Sequence, residues 1–325
     1  MPSPSRPLFA GTIGDPAGVG PLVWAKAARG RLPADVVLLG DRRALERWLP
    51  EPLPDWNPDR RRRLSLVDEP GFAGPKRPVP GRPDATHAPA VLKSLRRAGA
   101  MALAGQVDGV VTGPVAKDVL ATHEPGFRGQ TELLGQQARV EAPVMAMLSP
   151  RLRLVLATGH LPLAAVPKAL TQARLEQVLR VSCHDLRCLL DLPKLRLRVC
   201  GLNPHAGENG LLGDEEIKVI KPVIARLRRA RLPVDGPLPA DTAFLPQNLG
   251  PADCVVAMYH DQALPVIKRE DFAGAVNVTL GLPFIRASVG HGTAFAKARA
   301  GDADHAPLLA ALTLAARMSR NLQSR

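Results

Sequence analysis

The amino-acid sequence predicts an α/β fold with mainly parallel strands, and two observations carry that prediction. Apolar runs rich in β-branched residues alternate along the 325 residues with stretches of helical character, which is typical of β-α-β units. Glycine-rich or polar segments directly follow several of these runs, at the positions where open parallel sheets bind their ligands. A chain of this length with 46% hydrophobic residues can bury enough surface for two lobes.

Apolar runs are predicted as strands and periodic segments as helices. Strands are expected at residues 7–13, 35–39, 107–112, 152–158, 195–202, 253–258 and 275–279. Helices are expected at residues 88–104, 161–180, 215–230 and 307–320. Residues 50–90 are rich in Pro, Gly and Arg, and are predicted to form an irregular excursion.

Composition argues against several classes of protein. The net charge is +13, but only 3% of residues are aromatic, so base-stacking side chains are scarce and no nucleic-acid partner is expected. A positive field would instead favour capture of an anionic substrate. We expect a cytoplasmic protein without a membrane span, because no run of roughly 18 apolar residues occurs and residues 1–7 lack an apolar signal region. The four cysteines form no CxxC pair, which fits reduced thiols.

Three histidines, His160, His205 and His260, each follow a predicted strand. Taken singly, each could be a hydrogen-bonded loop residue, and no short-range metal motif is present. Taken together at the ends of parallel strands, they predict a shared metal site with open coordination positions. Imidazole ligands favour zinc, cobalt or nickel over magnesium or calcium.

The glycine loop at residues 14–20 reads Gly-Asp-Pro-Ala-Gly-Val-Gly. Its spacing is G-x-x-x-G-x-G rather than the G-x-G-x-x-G of a Rossmann domain, and the chain has no Walker A pattern. By itself, the loop therefore predicts a tight turn into a helix and gives little support for a nucleotide site.

Polar side chains interrupt the apolar region at residues 263–289. Lys268, Asn277 and Arg286 are the residues concerned. Lys and Arg near a strand end could hold a phosphate or a carboxylate, the arginine as a fork and the lysine as a point charge. Surface exposure is the alternative explanation for each.

Two aspartates are candidates for supporting roles. Asp261 directly follows His260, where it could orient the imidazole or move a proton. Asp241 is the second candidate. An aspartate in a loop is also commonly a turn or cap residue.

At these residues the chain resembles the 4-hydroxythreonine-4-phosphate dehydrogenase family of vitamin B6 biosynthesis. The resemblance runs from Gly14 to Asp304, nearly the whole chain. Its most specific segments are 201–208 (Gly-Leu-Asn-Pro-His-Ala-Gly-Glu), 236–242 (Gly-Pro-Leu-Pro-Ala-Asp-Thr), 258–262 (Met-Tyr-His-Asp-Gln) and 276–286 (Val-Asn-Val-Thr-Leu-Gly-Leu-Pro-Phe-Ile-Arg).

The resemblance implies a two-lobed fold similar to isocitrate and isopropylmalate dehydrogenases, not a Rossmann domain. Residues 1–130 and 270–325 would form a first α/β lobe on the cofactor side. Residues 131–269 would form a second lobe with the metal, the substrate and the dimer interface. The protein would be a homodimer with a shared active site.

The resemblance also implies a role for each site residue. A divalent metal, zinc in preference to magnesium or cobalt, would bind His160, His205 and His260. Substrate would bind Gln130, Thr131, Lys268, Asn277 and Arg286, and NAD or NADP would bind His291, Gly292 and Thr293. The catalytic residues would be Asp261, Lys268 and Asp241, with the choice of proton acceptor between Lys268 and Asp261 left open.

The implied reaction is NAD-dependent oxidation of 4-phosphohydroxy-L-threonine at C3. The product, 2-amino-3-oxo-4-phosphooxybutanoate, would decarboxylate to 3-amino-2-oxopropyl phosphate. Three residues depart from the family pattern: Gln130 replaces a usual His, Ala116 a usual Asn and Gly290 a usual Asp. Because of Gln130, the chain could instead be a sister enzyme that oxidises a four-carbon sugar-acid phosphate or a cis-diol dicarboxylate. A binding protein without turnover is a further alternative.

Overall fold

A computed structural model describes residues 6–67, 69 and 71–325 of the chain. Most of the N-terminal segment expected to lack a signal region, residues 1–5, lies outside the described residues. The chain divides into two compact units. The first comprises the described residues of Met1–Pro143 together with Val276–Arg325, and the second is Val144–Ala275. The lobe boundaries expected from the sequence, 130/131 and 269/270, fall inside helices, and the roles expected for the lobes stay a prediction.

The strands are short, and most of their residues are buried. They are β1 (Leu8–Thr12), β2 (Asp35–Leu39), β3 (Leu64–Val67), β4 (Gly109–Thr112), β5 (Val144–Leu148), β6 (Arg153–Leu156), β7 (Arg196–Cys200), β8 (Val234–Leu238), β9 (Asp253–Ala257), β10 (Val276–Leu280) and β11 (Ile285–Val289).

The helices differ widely in length. They are α1 (Gly20–Ala28), α2 (Arg42–Glu46), α3 (Ala88–Leu103), α4 (Lys117–His123), α5 (Gln130–Gln137), α6 (Val166–Ala169), α7 (Gln172–Leu189), α8 (Lys221–Arg229), α9 (Ala240–Ala243), α10 (His260–Glu270), α11 (Phe295–Ala300) and α12 (Ala306–Gln323). Short 3₁₀ turns occur at Ala85–His87, Leu163–Ala165 and Pro246–Asn248, and a π-helical turn at Glu216–Ile220.

The first unit contains the strand order β3-β2-β1-β4-β11-β10. All neighbouring pairs are parallel except β10 with β11. The carboxyl ends of β1, β4 and β11 therefore meet at one edge of the sheet. Residues 14–20, 113–117 and 290–293 lie directly beyond those three ends.

The second unit contains the order β5-β6-β9-β7-β8. Only β5 runs antiparallel to its neighbour, whereas β6, β9, β7 and β8 are parallel. This places His160, His260, His205 and Asp241 beyond the same edge. The predicted α/β class with mainly parallel strands is confirmed.

Each unit has its own apolar core. Leu154, Val255 and Ile267 are fully buried in the second unit, and Ala10, Val37 and Val110 are fully buried in the first. Burying one such aliphatic side chain contributes about 1.5–3 kcal/mol. These cores fix the strands, and the strand ends in turn position the polar residues beyond them.

Some of the predicted elements were wrong. The expected helix at 161–180 is broken, because Thr171 caps a new helix by accepting a hydrogen bond on Oγ1 from Arg174 N (3.1 Å), and that helix, α7, continues to Leu189. The expected irregular stretch at 50–90 contains β3. Strands β5, β8 and β11 and helix α10 were also not predicted.

Candidate functional site

Two of the three predicted histidine ligands lie side by side at the strand edge of the second unit. The ring centroids of His160 and His260 are 5.1 Å apart, with the rings tilted by 44°. His260 begins α10 directly after β9, and its Nδ1 lies 2.6 Å from Asp261 Oδ1. A carboxylate at Nδ1 accepts the proton of that nitrogen, which leaves the Nε2 lone pair available for a ligand.

His205 occupies an unusual backbone. The five residues from His205 to Asn209 all have positive φ, with 52° at His205 and 53° at Ala206. Four of the five are not glycine, and each such residue costs about 1–2 kcal/mol in the left-handed region. Surrounding contacts must therefore hold this turn in place.

The described residues contain no group of three His, Cys, Asp or Glu side chains placed to hold a metal ion. His160 and His260 lie side by side, but His205 does not join them in a three-residue ligand set. Two imidazoles still suit the chemistry of zinc or cobalt. The three-histidine site stays a prediction.

Side chains that were not predicted join the strand ends beneath the histidines. Gln262 Oε1 accepts from Met258 N (2.7 Å), and its Nε2 donates to Gly201 O (2.8 Å). Thr158 Oγ1 donates to Met258 O (2.7 Å). The ends of β6, β9 and β7 are therefore linked directly to one another. The motif Tyr-His-Asp-Gln includes Gln262, but its role depends on a contact 61 residues away in sequence.

The other predicted catalytic residues of this unit are exposed. Lys268 lies near the end of α10, and Asp241 is in α9, just beyond β8. Because α10 rises about 1.5 Å per residue, Lys268 is roughly 12 Å along the axis from His260. The geometry does not choose between Lys268 and Asp261 as proton acceptor.

Arg286 in the first unit is a buried cation surrounded by uncharged partners. Its side chain is only 3% exposed. One terminal nitrogen donates to Thr279 Oγ1 (3.0 Å) and Thr131 Oγ1 (3.3 Å), and the other to Thr112 Oγ1 (3.0 Å) and Gln130 Oε1 (3.5 Å). None of the described residues accepts a hydrogen bond from its Nε. None of these hydrogen bonds goes to a carboxylate, and a buried charge without a hydrogen-bonded counter-ion is costly, so this arrangement suits an anionic ligand.

The pKa of Arg286 reflects the same environment. Burial lowers it to about 10, and the charge of Glu132 opposes that shift. The guanidinium is therefore positively charged near neutral pH. On the adjacent strand, Asn277 has a buried Oδ1 that accepts no hydrogen bond within the described chain.

Strand register explains how these residues come together. Thr279 pairs with Arg286, and Asn277 pairs with Ser288. Residues two apart on a strand share a face, so both pairs lie on one side of the sheet. Thr279 and Thr112 were not predicted, although the alternation in Val-Asn-Val-Thr-Leu at 276–280 is a signal that could have identified Thr279.

Gln130 connects Arg286 to the end of β4. Its Nε2 donates to Gly113 O (2.9 Å) while its Oε1 faces Arg286. As the first residue of α5, its side chain is fixed by both contacts. The amide thus orients the guanidinium without neutralising it.

The two segments considered for cofactor binding lie against each other. Val19 N donates to Thr293 O (2.9 Å), and a Cβ on Gly18 would come within 3.0 Å of the same oxygen. Asp15 N donates to Pro114 O (2.9 Å), and burial raises the pKa of the Asp15 carboxyl. His291 is half-buried, and its Nδ1 lies 2.9 Å from Gly292 O.

These features define a class of protein: a two-unit α/β protein with a histidine pair at one sheet edge and a buried arginine pocket suited to a small anion. The family model described as "Pyridoxal phosphate biosynthetic protein PdxA" matches residues 33–315. The chain belongs to this family. No helix among the described residues is long and apolar enough to span a membrane.

Individual relatives agree with that assignment. A 4-hydroxythreonine-4-phosphate dehydrogenase of Thioalkalivibrio sulfidiphilus is 44% identical, with 98% of each chain covered. The crystal structure of a 4-hydroxythreonine-4-phosphate dehydrogenase from Klebsiella pneumoniae is 36% identical, has a TM-score of 0.84, and matches over 97% of this chain and 98% of its own. A terephthalate 1,2-cis-dihydrodiol dehydrogenase of Burkholderia xenovorans is 30% identical, has a TM-score of 0.65, and matches over 95% of this chain and 98% of its own.

Proposed function

We propose that this chain is an NAD-dependent 4-hydroxythreonine-4-phosphate dehydrogenase. It oxidises 4-phosphohydroxy-L-threonine at C3, and the 3-oxo product decarboxylates to 3-amino-2-oxopropyl phosphate. The observation that carries the proposal is the Arg286 pocket, where the hydrogen bonds of a buried cation go to hydroxyl and amide groups and none goes to a carboxylate. A phosphorylated hydroxy acid would supply a negative charge at this pocket, and two of the relatives named above are 4-hydroxythreonine-4-phosphate dehydrogenases.

The chain's own residues then have distinct tasks. Arg286 binds an anionic group of the substrate, and its orientation is set by Thr279, Thr112 and Gln130. Asn277 offers an unused buried acceptor to an ammonium or hydroxyl group. Thr131 adds a hydroxyl at the edge of the pocket.

His160, His205 and His260 would hold a divalent metal, with zinc preferred and cobalt or magnesium as alternatives. When bound, such a metal would supply Lewis-acid chemistry that makes the substrate hydroxyl more acidic. Asp261 keeps the His260 imidazole oriented with Nε2 outward. Either Asp261 or Lys268 receives the proton that leaves the hydroxyl, with Asp241 as a further acidic group at that edge.

NAD, or NADP, would bind along His291, Gly292 and Thr293. Contact of Thr293 with the glycine loop supports this proposal, because glycines allow a ligand to approach the backbone closely. The cofactor supplies the redox chemistry, and the protein supplies position and charge.

A homodimer with a shared active site is the assembly that we propose, in the cytoplasm and without nucleic-acid or membrane partners. Exposed apolar side chains on the second unit support it: Leu211 is 78% exposed, Leu163 67% and Ile217 44%. Apolar residues exposed to this extent near a site are typical of a surface that another chain covers.

The decisive experiment is a steady-state assay of NADH formation with defined metals. Turnover of 4-phosphohydroxy-L-threonine, abolished in His205→Ala, is the expected result. A His205→Ala variant that retains wild-type activity with added zinc, cobalt or magnesium would refute the metal assignment.

A second candidate is a sister dehydrogenase of a four-carbon sugar-acid phosphate or a cis-diol dicarboxylate. The similarity to the dihydrodiol dehydrogenase and Gln130 at the pocket favour it. Oxidation of D-threonate or D-erythronate phosphates, without turnover of 4-phosphohydroxy-L-threonine, would establish this activity. Binding of NAD without turnover of any substrate in the panel would indicate a protein that is not an enzyme.

A further inference from the structure

The carboxylate of Glu216 is buried beneath the turn that carries His205. Glu216 is 1% exposed and is the first residue of a π-helical turn, a feature that is frequent at functional sites. No arginine, lysine or histidine among the described residues forms an ion pair with it. An unpaired buried carboxylate is costly, so its hydrogen bonds identify what it stabilises.

All of those hydrogen bonds go to the end of β7. Oε1 accepts from Leu202 N (2.7 Å) and Asn203 N (2.8 Å), and Oε2 accepts from Asn203 Nδ2 (3.0 Å). One carboxylate thus satisfies two consecutive backbone donors that no strand reaches. An apolar side chain at this position would leave both donors buried without acceptors.

The left-handed turn is also shaped around this carboxylate. A Cβ on Gly207 would lie 2.5 Å from Glu216 Oε2, and one on Gly201 would lie 3.0 Å from Oε1. Glycine at both positions leaves the space that the carboxylate fills. One residue, Pro204, separates the Asn203 contact from His205, and the backbone of Gly207 approaches the carboxylate from two residues further along. His205 is therefore held between two points fixed by one side chain.

We propose that Glu216 is a positioning residue for His205: its carboxylate fixes the end of β7 and the left-handed turn so that the imidazole is held in one orientation. The proposal rests on the proposed function in one respect, the assignment of His205 as a metal ligand. Glu216 acts through its hydrogen bonds to Leu202 and Asn203 and is assigned no contact with substrate or metal.

The test compares Glu216→Gln with Glu215→Gln in the full-length, metal-stripped protein. Glu215 is a matched control, because it is the neighbouring carboxylate and accepts from the same Asn203 Nδ2 (2.7 Å). Zinc affinity is measured by calorimetric titration. Amide exchange at Leu202 and Asn203 and the imidazole resonances of His205 are measured without metal. Thermal unfolding reports the stability of each variant.

Glu216→Gln keeps one acceptor oxygen but turns an N–H donor toward Asn203 Nδ2, so the end of β7 can no longer be held as before. We expect it to weaken zinc binding by about 10- to 100-fold, as loss of a group that orients a metal ligand typically does. It should speed amide exchange at Leu202 and Asn203 and shift the His205 resonances, whereas Glu215→Gln changes zinc affinity less than about twofold. A folded Glu216→Gln protein with wild-type zinc affinity and unshifted His205 resonances would overturn the proposal.

Two further outcomes are also decisive. If Glu216→Gln does not fold, Glu216→Asp replaces it, since this change keeps the charge but withdraws the carboxylate by one methylene. Wild-type zinc affinity and His205 resonances in Glu216→Asp would then overturn the proposal. If the wild-type protein binds no zinc, the metal assignment in the proposed function is wrong, and the His205 resonances alone decide the role of Glu216.

Discussion

Asp261 lies 2.6 Å from Nδ1 of the histidine that directly precedes it, His260. The two residues begin α10 at the end of β9, so helix geometry and strand position both fix the pair. A second His–Asp pair, His184 with Asp185 on α7, has a similar distance of 2.9 Å. Only the first pair stands beside another histidine, His160.

That relationship predicts different results for two substitutions of Asp261. Asp261→Ala removes the acceptor at Nδ1 and should lower zinc affinity about 10- to 100-fold. Asp261→Asn keeps an acceptor oxygen but cannot take up a proton, so zinc affinity should be largely retained. Loss of kcat in Asp261→Asn would then identify Asp261 as the proton acceptor. Retained kcat would leave Lys268 as the proton acceptor. Asp185→Ala is the control and should change neither quantity.

Arg286→Lys tests whether the forked guanidinium matters beyond its charge. Lysine keeps the charge but cannot contact Thr279, Thr131 and Thr112 at once. We expect KM for the phosphorylated substrate to rise about 10- to 100-fold, the equivalent of one or two hydrogen bonds to a charged group. Arg151→Lys, an exposed change in the second unit, should leave KM unaltered. An unchanged KM in Arg286→Lys would contradict the assigned role.

The lowered pKa of Arg286 predicts a pH dependence. Burial favours the neutral form in the folded protein and lowers the pKa of Arg286 to about 10, below its ordinary value in the unfolded chain. Between these values the unfolded chain binds more protons, so this group makes the folded state relatively more stable as pH rises through that window.

Affinity for the anionic substrate should fall as the guanidinium loses its proton, staying constant to about pH 9 and decreasing above about pH 10. Calorimetric titration from pH 7 to pH 10.5 measures this, with Arg286→Gln as the variant that should lose the dependence.

Gln130→Glu would place a carboxylate beside Arg286. The new charge would neutralise the guanidinium and compete with the substrate, so KM should rise about tenfold or more while the free energy of unfolding increases. Gln136→Glu adds the same charge on an exposed position of α5 and should have little effect on either quantity. A Gln130→Glu enzyme with wild-type KM would show that the ligand's charge does not meet Arg286.

Two substitutions in the left-handed turn should act in opposite directions. Ala206→Gly removes a Cβ at φ 53° and should stabilise the fold by up to about 1 kcal/mol. Gly207→Ala adds a Cβ at φ 78° against the Glu216 carboxylate and should destabilise it by about 1–3 kcal/mol. Denaturant unfolding of both variants checks the signs, and a stabilising Gly207→Ala would contradict the described packing.

Hydrophobic patterning predicted much of the fold, and local composition explains what it missed. Continuous apolar runs such as 35–39 and 253–258 coincide with β2 and β9 because strands buried on both faces carry few polar residues. Strand β11 was missed because it contains Arg286 and Ser288, the residues that build the pocket. Strand β8 contains Gly236 and Pro237, which usually mark turns.

The sequence predicted individual site residues more successfully than it predicted the contacts between them. His160 and His260 follow parallel strands, so their proximity was predictable from strand order. The left-handed path of His205 was not, because it depends on Glu216, a side chain in a different element. Likewise, Thr112 and Thr279 look like ordinary strand residues until the register places them against Arg286.

Binding of an anion in the Arg286 pocket should also affect how long the folded protein resists proteolysis. A guanidinium desolvated among hydroxyl groups makes the empty protein the less stable form, and any anion that fits the pocket shifts the folding equilibrium by mass action. Inorganic phosphate or substrate should therefore slow proteolysis of the chain, and the supply of metabolite would govern how long each molecule survives as well as how fast it turns over.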